Sequence, residues 1–345
     1  MHRNICLRHQ YVNIASGPGR GKMPAMPLLR PRRLTPGQTV GLVAPSAAPN
    51  DPEHIRFAIE TLESLGFRVR PGAHLFDRDG YFAGADAARA ADLNAMFADD
   101  GVHAVWCVRG GYGASRLLPM LDYALMRRKP KALIGFSDIT ALHMAIHTHV
   151  GLVSFHGPVA WRAFTPYTLG ELRRVLSETS VPVRVGAPPP FEAREGQVDR
   201  ENRVTTLVSG QARGRLLGGN LCLMAHLTGT PYAPDLRGAI LFLEDVDEPY
   251  YRIDRFLTQL WLSGGLEGVA GVAFGKFTRC EPSASFVQNR VLEDILAERC
   301  RALGVPAVAG LMIGHVDDQT TLPIGCLAEL DAGAGTLTLL EPGVT

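Results

Sequence analysis

The chain is 345 residues long, 46% hydrophobic and 20% charged, with a formal net charge of +1. These values describe a globular chain with a sizeable core, and the length points to about two domains. Near-neutral charge, with no Lys/Arg stripe interleaved with aromatics, removes the electrostatic case for nucleic acid, and no apolar run nears the roughly 20 residues of a membrane span.

The first 33 residues carry seven basic residues and no acidic ones, without the apolar core of a secretory signal. Such a leader fits a transit peptide or an over-extended start with Met23 or Met26 as initiator. The second is the expectation, with residues 1–26 disordered or mis-assigned and the protein cytoplasmic. From Thr39 onward, strand-like and helix-like segments alternate. Val40–Ala44 is a first apolar run. Asn50-Asp-Pro-Glu53 then reads as a helix start, with Ile55, Ile59 and Leu62 as its buried stripe. Further strands are expected at Phe67–Arg70, Val102–Val108, Ala132–Phe136 and Leu152–Phe155. The helices between them cover Asp86–Ala98, Ala114–Arg127 and Asp138–His149. This alternation argues for a parallel sheet covered on both faces.

Pro188-Pro-Pro190 and the polar run Glu192–Arg203 interrupt the pattern, so residues 182–206 read as a linker or long loop between domains at 27–181 and 207–345. Order resumes at Gly214–Asn220. A strand at Ala239–Leu243 precedes an amphipathic helix whose Ile253, Phe256, Leu257, Leu260 and Trp261 share one face. A strand at Val269–Phe274, a helix around Phe286–Leu303, and strands at Val308–Ile313, Cys326–Leu330 and Thr336–Leu340 complete the chain. The six cysteines (Cys6, Cys107, Cys222, Cys280, Cys300 and Cys326) lack C-x-x-C spacing, which points to reduced, mostly buried thiols.

Three segments leave strands with chemistry attached. Ser137 lies where Ala132–Phe136 hands over to a helix, a place that suits a nucleophile or, equally, an N-cap serine. The glycines of Arg109-Gly-Gly-Tyr-Gly113 allow close backbone approach, and their amides, with that of Asp138, are candidate oxyanion donors. Ile139 replaces the last glycine of the usual G-x-S-x-G elbow, and no phosphate-binding P-loop is present. His315, at the end of an apolar strand, stands modestly ahead of His156 as the base. The His143 and His147 pair has metal spacing but Met144 where a zinc protease carries Glu, so packing is favoured for it. Glu244 ends the strand Ala239–Leu243, with Asp245, Asp247 and Glu248 as rivals that cap the next helix in the simpler reading.

Together these stretches resemble the LD-carboxypeptidase family of serine peptidases, which includes muramoyl-tetrapeptide carboxypeptidases and microcin-immunity hydrolases. The resemblance spans about Leu34 to Leu340. It rests on Gly41–Ser46, Arg109–Leu118, Gly135–Asp138, Leu217–Asn220, Leu243–Asp245 with Arg252–Arg255, and Gly314-His315 with Thr321–Gly325. It implies an α/β fold, with a flavodoxin-like N-terminal domain of parallel sheet plus a smaller mixed α/β C-terminal domain and the site at their interface. It further implies a Ser137–Glu244–His315 triad and an oxyanion hole from Gly110 or Gly111 and Asp138. Homodimers are usual, and no cofactor or metal is expected. Arg109 is a candidate for holding a substrate carboxylate and Asn220 for substrate amides, although Arg109 can equally anchor the glycine loop and Asn220 can cap a helix. The expected reaction is release of terminal D-alanine from a murein tetrapeptide. The alternatives are hydrolysis of a peptide-nucleotide of the microcin type, for which Trp161 and Phe191 are weak stacking candidates, and a non-catalytic binding protein.

Overall fold

The apolar runs Thr39–Val43, Ala104–Cys107 and Ala132–Gly135 are buried along their whole length, as central parallel strands require. The computed structural model describes residues 27–191, 195–199 and 202–345, so the expectation for residues 1–26 lies outside it. In chain order the elements are β1 (Thr39–Val43), α1 (Glu53–Ser64), β2 (Arg68–Pro71), α2 (Asp86–Ala98), β3 (Ala104–Cys107), α3 (Tyr123–Arg128), β4 (Ala132–Gly135), α4 (Thr140–Val150), β5 (Phe155–His156) and α5 (Pro166–Leu176). There follow β6 (Val183–Val185), β7 (Thr205–Val208), β8 (Gln211–Asn220), α6 (Leu221–Leu227), β9 (Ala239–Val246), α7 (Tyr250–Leu262) and β10 (Gly271–Thr278). The last are α8 (Leu292–Leu303), β11 (Ala307–Ala309), β12 (Leu322–Pro323), β13 (Leu327–Asp331) and β14 (Thr336–Leu339).

The first sheet runs β12-β5-β4-β3-β1-β2, and β2 through β5 are parallel. Its spatial order 2-1-3-4-5 is that of flavodoxin-like folds, which place ligands outside the carboxyl ends of the strands. The second sheet runs β6-β14-β13-β8-β9-β10-β11-β7, with β8 to β11 parallel and antiparallel strands on both flanks. The fold is therefore α/β with two sheets. The sheets also trade edges: β12, from the C-terminal half, pairs with β5.

Several boundaries moved for physical reasons. The single helix expected over Ala114–Arg127 is a 3-10 segment, Ala114–Met120, followed by α3. Pro119 removes a donor inside the first segment, and Asp122 restarts the helix by accepting a hydrogen bond from the Leu125 N–H at 2.8 Å. The segment 182–206, read as a linker, contributes β6 and the first residues of β7. A three-residue Val-Arg-Val alternation is too short to register as periodic, and pairing with β14 is what makes it a strand. On α7, Ile253, Phe256, Leu257 and Leu260 are buried as expected. Trp261 is partly exposed and lies beneath the Arg299 guanidinium, 4.6 Å from ring centroid to carbon.

Candidate active site

Strand β4 ends at Gly135, and the backbone turns sharply at Ser137, whose φ is +64°. A non-glycine residue rarely occupies this left-handed region, and holding it there costs about 1–3 kcal/mol. The short turn Ser137–Ile139 makes no side-chain capping bond, and α4 begins only at Thr140. Ser137 is therefore not the N-cap that its residue type permits. Among the described residues no capping bond engages its hydroxyl, which stands at the carboxyl end of the first sheet.

The glycine loop presses directly on this turn. A Cβ placed on Gly110 would lie 2.9 Å from Ser137 Cβ and 3.2 Å from its Oγ, so only glycine leaves the serine its room. Asp138 is buried and ties the loop together through one oxygen. Its Oδ2 accepts from Ser46 Oγ at 2.6 Å and from the Ala114 N–H at 2.8 Å. Burial raises the Asp138 carboxyl above its usual range. Arg89, buried on α2, reaches in from the far side, donating to Gly84 O at 3.1 Å and Gly113 O at 3.2 Å, and also to Pro45 O. Arg109 is half-buried. It donates from Nη1 to Ala48 O at 3.0 Å, and its guanidinium sits 5.8 Å from the Trp161 ring centroid.

The second sheet supplies an ionisable pair. Glu244, near the carboxyl end of β9, is completely buried, and its Oε2 lies 2.7 Å from His315 Nδ1. Gly314 makes this contact possible: its φ is +107°, and a Cβ there would stand 2.5 Å from Glu244 Oε2. The imidazole of His315 packs on Phe136, with ring centroids 4.7 Å apart and planes tilted by 54°. Because Phe136 directly precedes Ser137, this tilted ring contact brings the serine turn and the Glu244–His315 pair to one place.

The rivals are placed elsewhere. His156 is fully buried between Phe136 and Phe242 in edge-on contacts, with neither ring nitrogen hydrogen-bonded, and burial holds its pKa well below normal. His143 bridges Ser154 Oγ at 2.8 Å and Gly135 O at 2.9 Å, and burial lowers it to about 4. His147 is also lowered to about 4, again chiefly by burial. Among the described residues no group of three His, Cys, Asp or Glu side chains is placed to hold a metal ion. Cys107 is buried, and burial pushes its thiol far up.

Asp247 turns away at a positive φ and pairs with Arg279 Nε at 2.7 Å, while Glu248 pairs with Arg252 Nε at 2.9 Å. Asp245 is an organiser. It accepts from Asn220 Nδ2 at 2.8 Å, Cys222 N at 3.0 Å and Val246 N at 2.9 Å, and burial, then the Glu244 charge, raise it to about 7. Asn220 is buried beside Glu244 in the β8–β9 register and caps α6 by accepting from Leu223 N at 3.2 Å. Its backbone N–H donates to Thr140 Oγ1 at 3.0 Å, joining β8 to the start of α4.

Sequence reasoning passed over Arg89 and the hydroxyl of Ser46 as supports of the loop. It also passed over α5, whose start was legible: Thr165-Pro166 is a capping residue followed by proline at the first helical position.

Two family models match this chain, the LD-carboxypeptidase N-terminal domain over residues 40–157 and the C-terminal domain over residues 213–330. The chain belongs to the LD-carboxypeptidase family. The N-terminal model covers β1 to β5 and the serine turn, and the C-terminal model covers Glu244 and His315. Among its relatives in the family, a putative carboxypeptidase of Streptomyces coelicolor is 42% identical over 92% of this chain and 98% of its own length. The murein tetrapeptide carboxypeptidase of Pseudomonas aeruginosa is 36% identical over 85% of this chain and 92% of its own. Among solved structures, the microcin C7 self-immunity protein MccF in complex with glutamyl sulfamoyl guanosine superimposes with a TM-score of 0.79 at 25% identity, covering 92% of this chain and all of that one. No helix among the described residues is long and apolar enough to cross a membrane.

Proposed function

We propose that this LD-carboxypeptidase is a serine hydrolase that removes the terminal D-alanine of murein tetrapeptides, with Ser137 as nucleophile, His315 as base and Glu244 as its orienting acid. The observation that carries this reading is the Glu244–His315 contact of 2.7 Å, docked through Phe136 beside a serine held in a strained turn. With Nδ1–H given to Glu244, the imidazole offers Nε2 to the serine hydroxyl. Ser137 Oγ attacks the carbonyl before D-alanine while His315 takes its proton. The oxyanion is met by backbone N–H groups at Gly110 or Gly111 and at Asp138. His315 then protonates the departing amine, and water, activated by the same imidazole, frees the acyl group. Arg109 is the candidate for the terminal carboxylate, with its fork steadied by Ala48 O and Trp161. Asn220 is engaged at both ends of its amide, so it serves this chemistry by shaping the pocket. The enzyme works in the cytoplasm as a homodimer.

A second reading keeps this machinery and takes a peptide-nucleotide as substrate. The fold shared with the microcin self-immunity protein and the half-buried Trp161 favour it. Mass spectrometry after incubation with murein tetrapeptide and with an aminoacyl sulfamoyl nucleoside separates the two. Release of D-alanine by the wild type and none by a folded Ser137→Ala variant is expected. Full activity in Ser137→Ala overturns the nucleophile assignment, and cleavage of the nucleoside alone selects the second reading.

A further inference from the structure

The loop that carries His315 belongs by sequence to the second half of the chain, yet from Asp317 onward it is bonded to the first. Four consecutive residues are held by α5 and the turn before it. Asp317 Oδ1 accepts from Arg162 Nη2 at 2.9 Å, and Asp318 Oδ1 accepts from the hydroxyl of Thr165, the N-cap of α5, at 2.6 Å. The Thr168 hydroxyl donates to Asp317 O at 2.9 Å and accepts from Gln319 N at 2.9 Å. Thr320 Oγ1 lies 2.9 Å from Tyr167 Oη and 3.2 Å from Glu171 Oε2. Two residues later the chain pairs with β5 as β12.

Of these contacts, only the Thr168 hydroxyl grips the loop backbone on both sides of one residue. It is buried, so water cannot replace it without entering the core. Glu171, also buried, has its carboxyl raised by burial and is paired with Arg174 Nη1 at 2.9 Å. The base is thus bracketed. Glu244 holds its Nδ1 from the second sheet, while α5 sets the height of its loop above the first sheet, where Ser137 stands. A displacement of about 1 Å between reacting groups is enough to cost two orders of magnitude in rate.

We infer that the first turn of α5, through the Thr168 hydroxyl, is a positioning device that fixes His315 relative to Ser137. The inference rests on the triad proposed above. Thr168 touches neither substrate nor reacting atoms, so its effect should fall on kcat and not on substrate binding. Thr168→Val keeps the shape and removes the hydroxyl, and Thr168→Ser restores it.

The test compares both variants with the wild type in three measurements. These are kcat and KM for D-alanine release, the rate at which a fluorophosphonate labels Ser137, and the downfield proton resonance of the His315 Nδ1–H bonded to Glu244. Thr168→Val should lower kcat and the labelling rate by roughly 10- to 100-fold, leave KM within about twofold, and shift or broaden the His315 proton. Thr168→Ser should recover most of each loss. A folded Thr168→Val with wild-type kcat, labelling rate and His315 resonance overturns the inference. So does a loss that Thr168→Ser fails to recover. The arms also separate the two proposals: a wild type that fluorophosphonate does not label defeats the triad reading, while the His315 resonance still reports whether Thr168 places the imidazole.

Discussion

Ser137 and Glu244 are each held where their residue type is disfavoured, one by a positive φ and the other by complete burial. Both costs are offset only if the surroundings over-determine the geometry. For Glu244 the compensation is His315, because a buried carboxylate without a partner is costly. Glu244→Gln keeps the volume and cannot stabilise the imidazolium, so kcat is expected to fall by roughly 10²- to 10⁴-fold with a small change in KM. Steady-state kinetics checks this, and a kcat within threefold of wild type removes Glu244 from the mechanism. Its place at the end of an apolar strand makes Glu244 the leading acid in sequence. Its advantage over Asp245 rests on where each side chain points: alternate residues of a strand face opposite sides, so one neighbour meets His315 and the other meets Asn220.

At the scale of elements, the site consists of turns at strand ends held by glycines and buried polar bonds. Gly314 links the end of one such turn to the Glu244 side chain. Gly314→Ala forces a Cβ to within 2.5 Å of Glu244 Oε2 at a φ of +107°. The expected result is a stability loss of about 1–3 kcal/mol, seen in chemical denaturation, and a drop in kcat larger than that loss explains. An unchanged kcat means that Glu244 does not depend on this glycine. The break of the helix at Pro119 and the strand at Val183–Val185 show where local pattern runs out. Periodicity reports the apolar face, not the proline that breaks a helix or the distant strand that recruits three residues to an edge.

For the molecule as a whole, buried titratable groups pull stability in opposite directions with pH. His143 and His147 have folded pKa values of about 4 against 6.5 unfolded. Between those values the unfolded chain binds more protons, so their contribution is full above pH 6.5 and lost as pH falls toward 4. For the fully buried His143 this is worth up to about 3 kcal/mol. Asp245, raised to about 7, acts in reverse: the folded chain holds the extra proton, and that contribution fades as pH rises from about 4 to 7. The two effects partly offset each other in the wild type, and comparison with a variant isolates one group. His143→Gln should narrow the fall in urea midpoint between pH 7 and pH 5. An unchanged difference between the two pH values shows that His143 is not held neutral.

Local chemistry by itself determined the alternating strands and helices, the serine at a strand-to-helix junction, the glycine loop and the family resemblance, because apolar periodicity and glycine placement act over a few residues. Only tertiary structure decided which rivals meet. In sequence His315 stands only modestly ahead of His156, but in the fold His156 is buried between two phenylalanines with no hydrogen bond, whereas His315 lies against Glu244 and Phe136. Those contacts join positions 71 residues apart in one case and bring different sheets together in the other. Short-range pattern carries no record of such pairings, which arise when β12 crosses to the first sheet and α5 grips the loop beside it.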